Sequence, residues 1–218
     1  EKRYLDLAKF FLDARGTRPD GEEYSQSHKK VIDQTEAVGH SVRATYMYSG
    51  MADVAAILKD EAYLNAITRI WEDLVYRKMY ITGGIGASGG NEGFAEPYNL
   101  PNMTAYCETC ASIGDIFFNH RMFSMHGDGR YFDVLEKTCI TGRYQESILR
   151  ATGSSIQILL NQPDNMKDHP GSVVHAAHQM WQDLFRLYRD IFTRLQTRIC
   201  MLTFLHQIMR ISALGSIM

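Results

Sequence analysis

The sequence predicts an all-α protein built from helical hairpins. Three observations carry that expectation: apolar residues recur at spacings of three and four in several separate stretches, strand-like alternation is scarce, and the stretches are joined by polar or glycine-bearing turns. Residues 1–14 read as a helix with Tyr4, Leu5, Ala8, Phe11 and Leu12 on one face, and residues 15–35 are polar and rich in turn formers such as Gly16, Pro19 and Gly21. A second helix is expected from Glu36 to Lys59, with Val38, Val42, Thr45, Tyr46, Ser49 and Ala52 as its packed face and a local break at Gly50. A third is expected from Ala62 to Tyr76, with Trp71 on its apolar side.

The stretch from Tyr80 to Gly93 then contains Gly83, Gly84, Gly86, Gly89, Gly90 and Gly93, a run that cannot hold a helix. It reads as a long loop, and long ordered loops in compact domains tend to carry function. It lacks the lysine of a phosphate-binding loop and the flanking strand and helix of a dinucleotide fold. A further helix is expected after Pro97 and Pro101, capped by Asn102 or Thr104 and running to about Met125, followed by a turn over residues 126–129 and another helix from Arg130.

Bulk properties exclude several functions. The 218 residues are 45% hydrophobic and 22% charged, with a net charge of −2 and a pI near 6.5, so there is no basic footprint for nucleic acid. No apolar run reaches the length of a membrane span. Cys107, Cys110, Cys139 and Cys200 lack the dense, regular spacing of a disulfide scaffold. A reducing compartment or a metal role fits them better, and a cytoplasmic location is expected over a secreted one. The chain opens on Glu1, already in a helical pattern, and is expected to be an internal piece of a longer protein.

The densest local chemistry is Tyr106-Cys107-Glu108-Thr109-Cys110. Carboxylate oxygen and thiolate are both zinc ligands, at roughly 2.0–2.3 Å, and a helix N-terminus favours the thiolate. Two donors do not make a zinc site, so Glu108 and Cys110 are read either as part of one or as a buried cysteine beside a capping glutamate. Glu92 and Glu96 lie on the glycine-rich loop and its exit. Beside apolar Phe94 such a carboxyl suits a general acid, the alternative being a solvated loop residue. His40, with Arg43, Tyr46 and Tyr48 following, suits contact with sugar hydroxyls or plain packing.

Taken in order, the segments QTEAVGHSVRATYMYS (Gln34 to Ser49), YITGGIG (from Tyr80), GFAEPYNLPN (from Gly93), TAYCETCASIG (from Thr104) and GDGRYFDVLEKT (Gly127 to Thr138) resemble glycoside hydrolase family 127, the retaining β-L-arabinofuranosidases. The resemblance implies that residues 1–138 are part of an (α/α)6-barrel catalytic domain acting on arabinofuranosides. It also implies zinc held by one glutamate and three cysteines, one of which is the nucleophile. Position by position, Glu92 resembles the acid/base, His40 a substrate-contacting histidine, and Glu108 and Cys110 two of the zinc ligands. The rival expectation is a non-catalytic helical scaffold with a divergent tail.

The family pattern stops at Thr138. Where the family continues Leu-Tyr-Asn-Gly, this chain has Cys139-Ile140-Thr141-Gly142. Removing the first base of CTG-TAT-AAC-GG gives TGT-ATA-ACG-G, which spells those four residues. One base over, QILLN (Gln157 to Asn161) permits Pro-Asn-Pro-Leu, and DHPGSVVHAAHQMW (Asp168 to Trp181) permits the family's Gly-Cys-Ala-Cys-Cys-Pro-Ser-Asn, which carries the nucleophile. Residues 139–218 are therefore expected to be a frameshifted tail without a genuine domain. The helix that can be drawn over 173–214 is then accidental, and the chain itself is expected to be inactive.

Overall fold

The computed structural model describes residues 2–152, with side chains described through Ile140. The helix expected over 173–214, Cys200 and the shifted-frame segments lie outside the described residues. The architecture is all-α: α1 (Lys2–Ala14), α2 (Ser41–Leu58), α3 (Glu61–Arg77), α4 (Thr109–His126) and α5 (Gly129–Thr152), with a single 3-10 turn at Val31–Asp33. Among the described residues there is no strand, only isolated antiparallel bridges, and no helix long and apolar enough to cross a membrane.

Two tight hairpins organise the fold, and their turns follow from local chemistry. Lys59 closes α2 in the left-handed region, at φ 55°, and Asp60 caps α3 by accepting from the Ala62 and Tyr63 amides at 3.1 and 3.4 Å. Gly127 closes α4 at φ 67°, and Asp128 accepts from the Arg130 amide at 3.0 Å as α5 begins. The hairpins α2–α3 and α4–α5 pack through α2 against α4. That crossing is close because residue 114 is glycine: a Cβ there would run into the Thr45 hydroxyl.

Several sequence-based boundaries move. The second helix starts at Ser41 rather than Glu36, because distant side chains hold residues 36–40 out of helical conformation. Asp73 Oδ2 accepts from the Ala37 amide at 2.7 Å, Lys78 Nζ donates to the Ala37 carbonyl at 2.8 Å, and Gly39 turns at φ 72°. Gly50 does not interrupt α2, and a Cβ there would meet open space. The fourth helix starts at Thr109 with Glu108 as its N-cap, not at Asn102 or Thr104. Before it, the Tyr106 and Cys107 amides donate to the Ala87 and Gly86 carbonyls, and Cys107 turns at φ 44°. Helix α5 continues past Thr138 to Thr152.

The core lies between α2, α3 and α4 and centres on Trp71. Its ring meets Tyr131 at 4.7 Å between centroids, and its indole N–H donates to Asn119 Oδ1 at 2.7 Å. Asp115 on α4 is fully buried, and burial pushes its carboxyl up to about 7 against the opposing pull of Asn119 and Thr138. Because the folded value exceeds the ordinary 3.8, its ionisation opposes folding: the contribution to stability is full at low pH and is lost as pH rises through about 7. Asp115→Asn is therefore expected to raise stability by about 1–3 kcal/mol near pH 8 and to change little near pH 4, read from urea midpoints at the two pH values.

Helix α1 has no buried residue, and Tyr4, Leu7, Phe10 and Phe11 are each at least half exposed. Such an apolar face favours self-association. Phe10→Lys with Phe11→Lys is expected to lower the aggregate fraction by light scattering without shifting the thermal midpoint.

Candidate active site

The site forms where the glycine-rich loop crosses the start of α2 and the start of α4. The loop is seated by its main chain. The Ser41 amide and hydroxyl both donate to the Glu92 carbonyl, at 3.0 and 2.9 Å, and the Phe94 amide donates to the Gly39 carbonyl at 2.9 Å. Ser88 and Gly93 exchange a pair of backbone hydrogen bonds at 3.0 and 3.1 Å. Gly93 is required here, since a Cβ would strike the Gly39 carbonyl. Glu92 itself sits in the left-handed region at φ 51°. A residue other than glycine in this region costs backbone energy, which the surrounding hydrogen bonds must offset.

This seating brings the four singled-out residues together. His40, the N-cap of α2, places Nε2 3.1 Å from Glu92 Oε2. The Glu92 side chain is 49% exposed and that of His40 12%, so the carboxyl faces solvent while the imidazole is largely enclosed. Glu108 and Cys110 lie at the start of α4, and the Cys110 thiol hydrogen-bonds to the Glu108 carboxylate. Glu92 and His40 act on Glu108 electrostatically, which places the whole group within one small volume. Glu108 does not cap α4 with its side chain; its Oε2 is buried with no hydrogen-bond partner among the described residues, as is His40 Nδ1.

Electrostatics here run against one expectation. Burial, followed by the Glu108 charge and the hydrogen bond to it, pushes the Cys110 thiol up to about 12. Loss of water and the neighbouring carboxylate both act against the thiolate. Burial likewise raises Glu108, opposed by its bond to Cys110 and by His40. Cys107, expected to be one of a close pair with Cys110, is buried among Tyr80 and Ala87, and burial pushes its thiol up to about 12.

The expected His/Arg/Tyr set does not converge as a unit. Tyr48 points into the core against Phe118, and Arg43 stacks over Tyr24, whereas Tyr46 reaches the site beside Cys110. Of the two loop carboxylates, Glu92 meets His40 and Glu96 lines a neighbouring cavity. Sequence reasoning missed Tyr106, whose hydroxyl hydrogen-bonds to Glu92, and Tyr24, whose ring meets that of His40 at 5.8 Å between centroids. The available signal for Tyr106 was its place two residues before Glu108 in the same motif.

His40, Glu92, Glu108 and Cys110 thus form one cluster where the glycine-rich loop meets the starts of α2 and α4. Comparison with known proteins identifies the family. Residues 1–142 match the family model described as β-L-arabinofuranosidase, GH127 catalytic domain, and the chain belongs to that family. It is 37% identical over 163 residues to a non-reducing end β-L-arabinofuranosidase of Bifidobacterium longum subsp. longum, covering 65% of this chain and 25% of that protein.

Two solved structures are also similar. A GH127 β-arabinofuranosidase has a TM-score of 0.64 and 59% identity, over 65% of this chain and 22% of its own. A GH127 β-L-arabinofuranosidase from Geobacillus stearothermophilus T6 has a TM-score of 0.65 and 41% identity, over 67% and 26%. The all-α hairpin array is thus part of the α/α barrel of these glycosidases, and the chain spans about a quarter of the length of the relatives it matches.

Proposed function

We propose that this chain carries the acid/base half of a retaining β-L-arabinofuranosidase site and is itself inactive. The observation that carries the reading is the His40–Glu92 pair at 3.1 Å, close enough to Glu108 to act on it electrostatically. In this reading Glu92 gives its proton to the leaving oxygen of a terminal arabinofuranoside and then takes one from water. His40 and Tyr106 hold the carboxyl in place, and His40 also offers a hydrogen bond to a sugar hydroxyl.

The residues present do not fit a complete zinc site. Glu108 and Cys110 are two donors, and among the described residues no group of three His, Cys, Asp or Glu side chains is placed to hold a metal. Cys110 resembles a zinc ligand of the family pattern, not its nucleophile. The missing donors and the nucleophile are those that the other frame encodes after Thr138. The end of the family match at residue 142, close to Thr138, supports that origin for the tail.

Resequencing the DNA from the codon for Lys137 through that for Trp181 tests the proposal. A missing base whose restoration yields Leu-Tyr-Asn-Gly and the Cys-Cys-Pro segment is expected. A frame that stands as written, with no shifted motif, overturns it. The expressed chain should also leave a nitrophenyl β-L-arabinofuranoside intact and, after dialysis, retain well below one equivalent of zinc by elemental analysis. Stoichiometric, dialysis-resistant zinc would contradict the half-site.

A further inference from the structure

Gln26 is a polar residue almost sealed from water, at 1% exposure, and its backbone sits in the left-handed region at φ 55°. A residue with a side chain costs energy there that glycine would avoid, so the side chain must offset the cost by what it holds.

What it holds is backbone. Gln26 Nε2 donates to the Tyr24 and Val38 carbonyls, each at 3.0 Å, and reaches the His40 carbonyl at 3.4 Å. One amide therefore ties the turn over residues 22–27 to the segment that leads into α2. The Tyr24 carbonyl also accepts from the His40 amide at 3.1 Å, so the two strands of the tie meet at one oxygen. Residue 39 is glycine where the amide enters: a Cβ would lie 2.7 Å from Gln26 Nε2 and closer still to the Glu23 and Tyr24 carbonyls. The tie is braced from behind, because Gln34 Nε2 donates to the Gln26 carbonyl at 2.9 Å and to the Lys29 carbonyl at 3.1 Å.

The segment so held ends at His40. The imidazole meets Glu92 through Nε2, while its Nδ1 is buried with no hydrogen-bond partner among the described residues. No second polar tether orients the ring. Its place depends on the backbone beneath it and on the Tyr24 ring, 5.8 Å away between centroids, and Gln26 grips the main chain of both residues.

We propose that Gln26 is a positioning residue of the acid/base site, setting His40 at hydrogen-bonding distance from Glu92 through the main chain of residues 24, 38 and 40. The proposal rests on Glu92 being the acid/base group and His40 its partner.

The test reads the position of His40 directly and needs no activity. Diethyl pyrocarbonate acylates an accessible, unprotonated imidazole nitrogen, and peptide mass spectrometry gives the rate at each histidine. In the chain as it stands His40 should be shielded, with Nδ1 buried and Nε2 engaged by Glu92. Gln26→Met keeps the length of the side chain and removes the donor, whereas Gln26→Gly removes the side chain and relieves the left-handed turn. Both are expected to raise the His40 rate about tenfold, the worth of one good hydrogen bond, and to abolish the nuclear Overhauser contact between the His40 ring and the Glu92 side chain. The rate at half-buried His28, in the same turn, should stay within about twofold, since the tie and not the fold is lost. Trp71→Phe, which weakens the core elsewhere, should leave His40 shielded. An unchanged His40 rate or a retained contact in either variant overturns the proposal, and Gln26→Gly behaving as wild type would mean that Gln26 serves the turn alone. His28 rising with His40, or Trp71→Phe exposing His40 equally, overturns it as well, because the effect is then general loosening. All of these leave the Glu92 reading standing. His40 reacting in the unaltered chain as fast as a free histidine peptide overturns both.

Discussion

Replacing Lys78 with alanine is expected to lower the unfolding free energy by about 3–5 kcal/mol. The ammonium is 4% exposed and holds Asp73, which is fully buried, together with Glu36 and the Ala37 carbonyl. Without it Asp73 keeps only Arg77 and the Ala37 amide as partners, and a carboxylate is left under-compensated away from water. Removing one member of a buried pair costs far more than the pair contributes, because desolvation of the survivor is no longer offset. Lys78→Ala combined with Asp73→Asn should recover part of the loss. Urea unfolding of the three variants measures both effects, and a Lys78→Ala loss below about 1 kcal/mol would show that the network is only surface-grade.

Trp71→Ala should be equally severe, at about 3–5 kcal/mol. Trp71 is the largest fully buried side chain among the described residues, and it packs against Tyr131 across the hairpin pair. Truncation opens a cavity and also strands the Asn119 carbonyl oxygen that the indole N–H satisfies. Trp71→Phe keeps most of the volume but loses that hydrogen bond, so it should fall between wild type and alanine. The expected loss is a large share of a typical domain's stability, so far-ultraviolet circular dichroism should show Trp71→Ala substantially unfolded at room temperature. A fully folded Trp71→Ala would mean that the core collapses around the gap.

How much of this was legible beforehand follows the range of the forces involved. The α2–α3 turn was within reach because Asp60 caps α3 through amides two and three residues away, and the turn at Gly127 is equally local. The start of α2 was not, because Ala37 is held by Asp73 and Lys78, more than a helix-length further along the chain. Thr109 begins α4 for the same kind of reason, since the residues before it pair with Gly86 and Ala87. Gly50 carries a helix-breaking propensity that tertiary packing on both sides of α2 overrides. The four site residues were found through motif resemblance, and the structure draws them together. The Cys110 shift was not legible, because burial and a carboxylate neighbour are properties of the assembled site.

The loop between α3 and α4 is fastened almost entirely by peptide groups: Ser41 to Glu92, Phe94 to Gly39, Ser88 to Gly93, and Tyr106 and Cys107 to Ala87 and Gly86. A seam of this kind does not read side-chain identity except at its glycines. The exposed or half-exposed residues 89–91 and 96–99 therefore behave as a cassette whose letters are exchangeable while its course over the helices stays fixed. Substitutions within such a cassette can accumulate, or be introduced by design, without moving the Glu92 carboxyl away from His40.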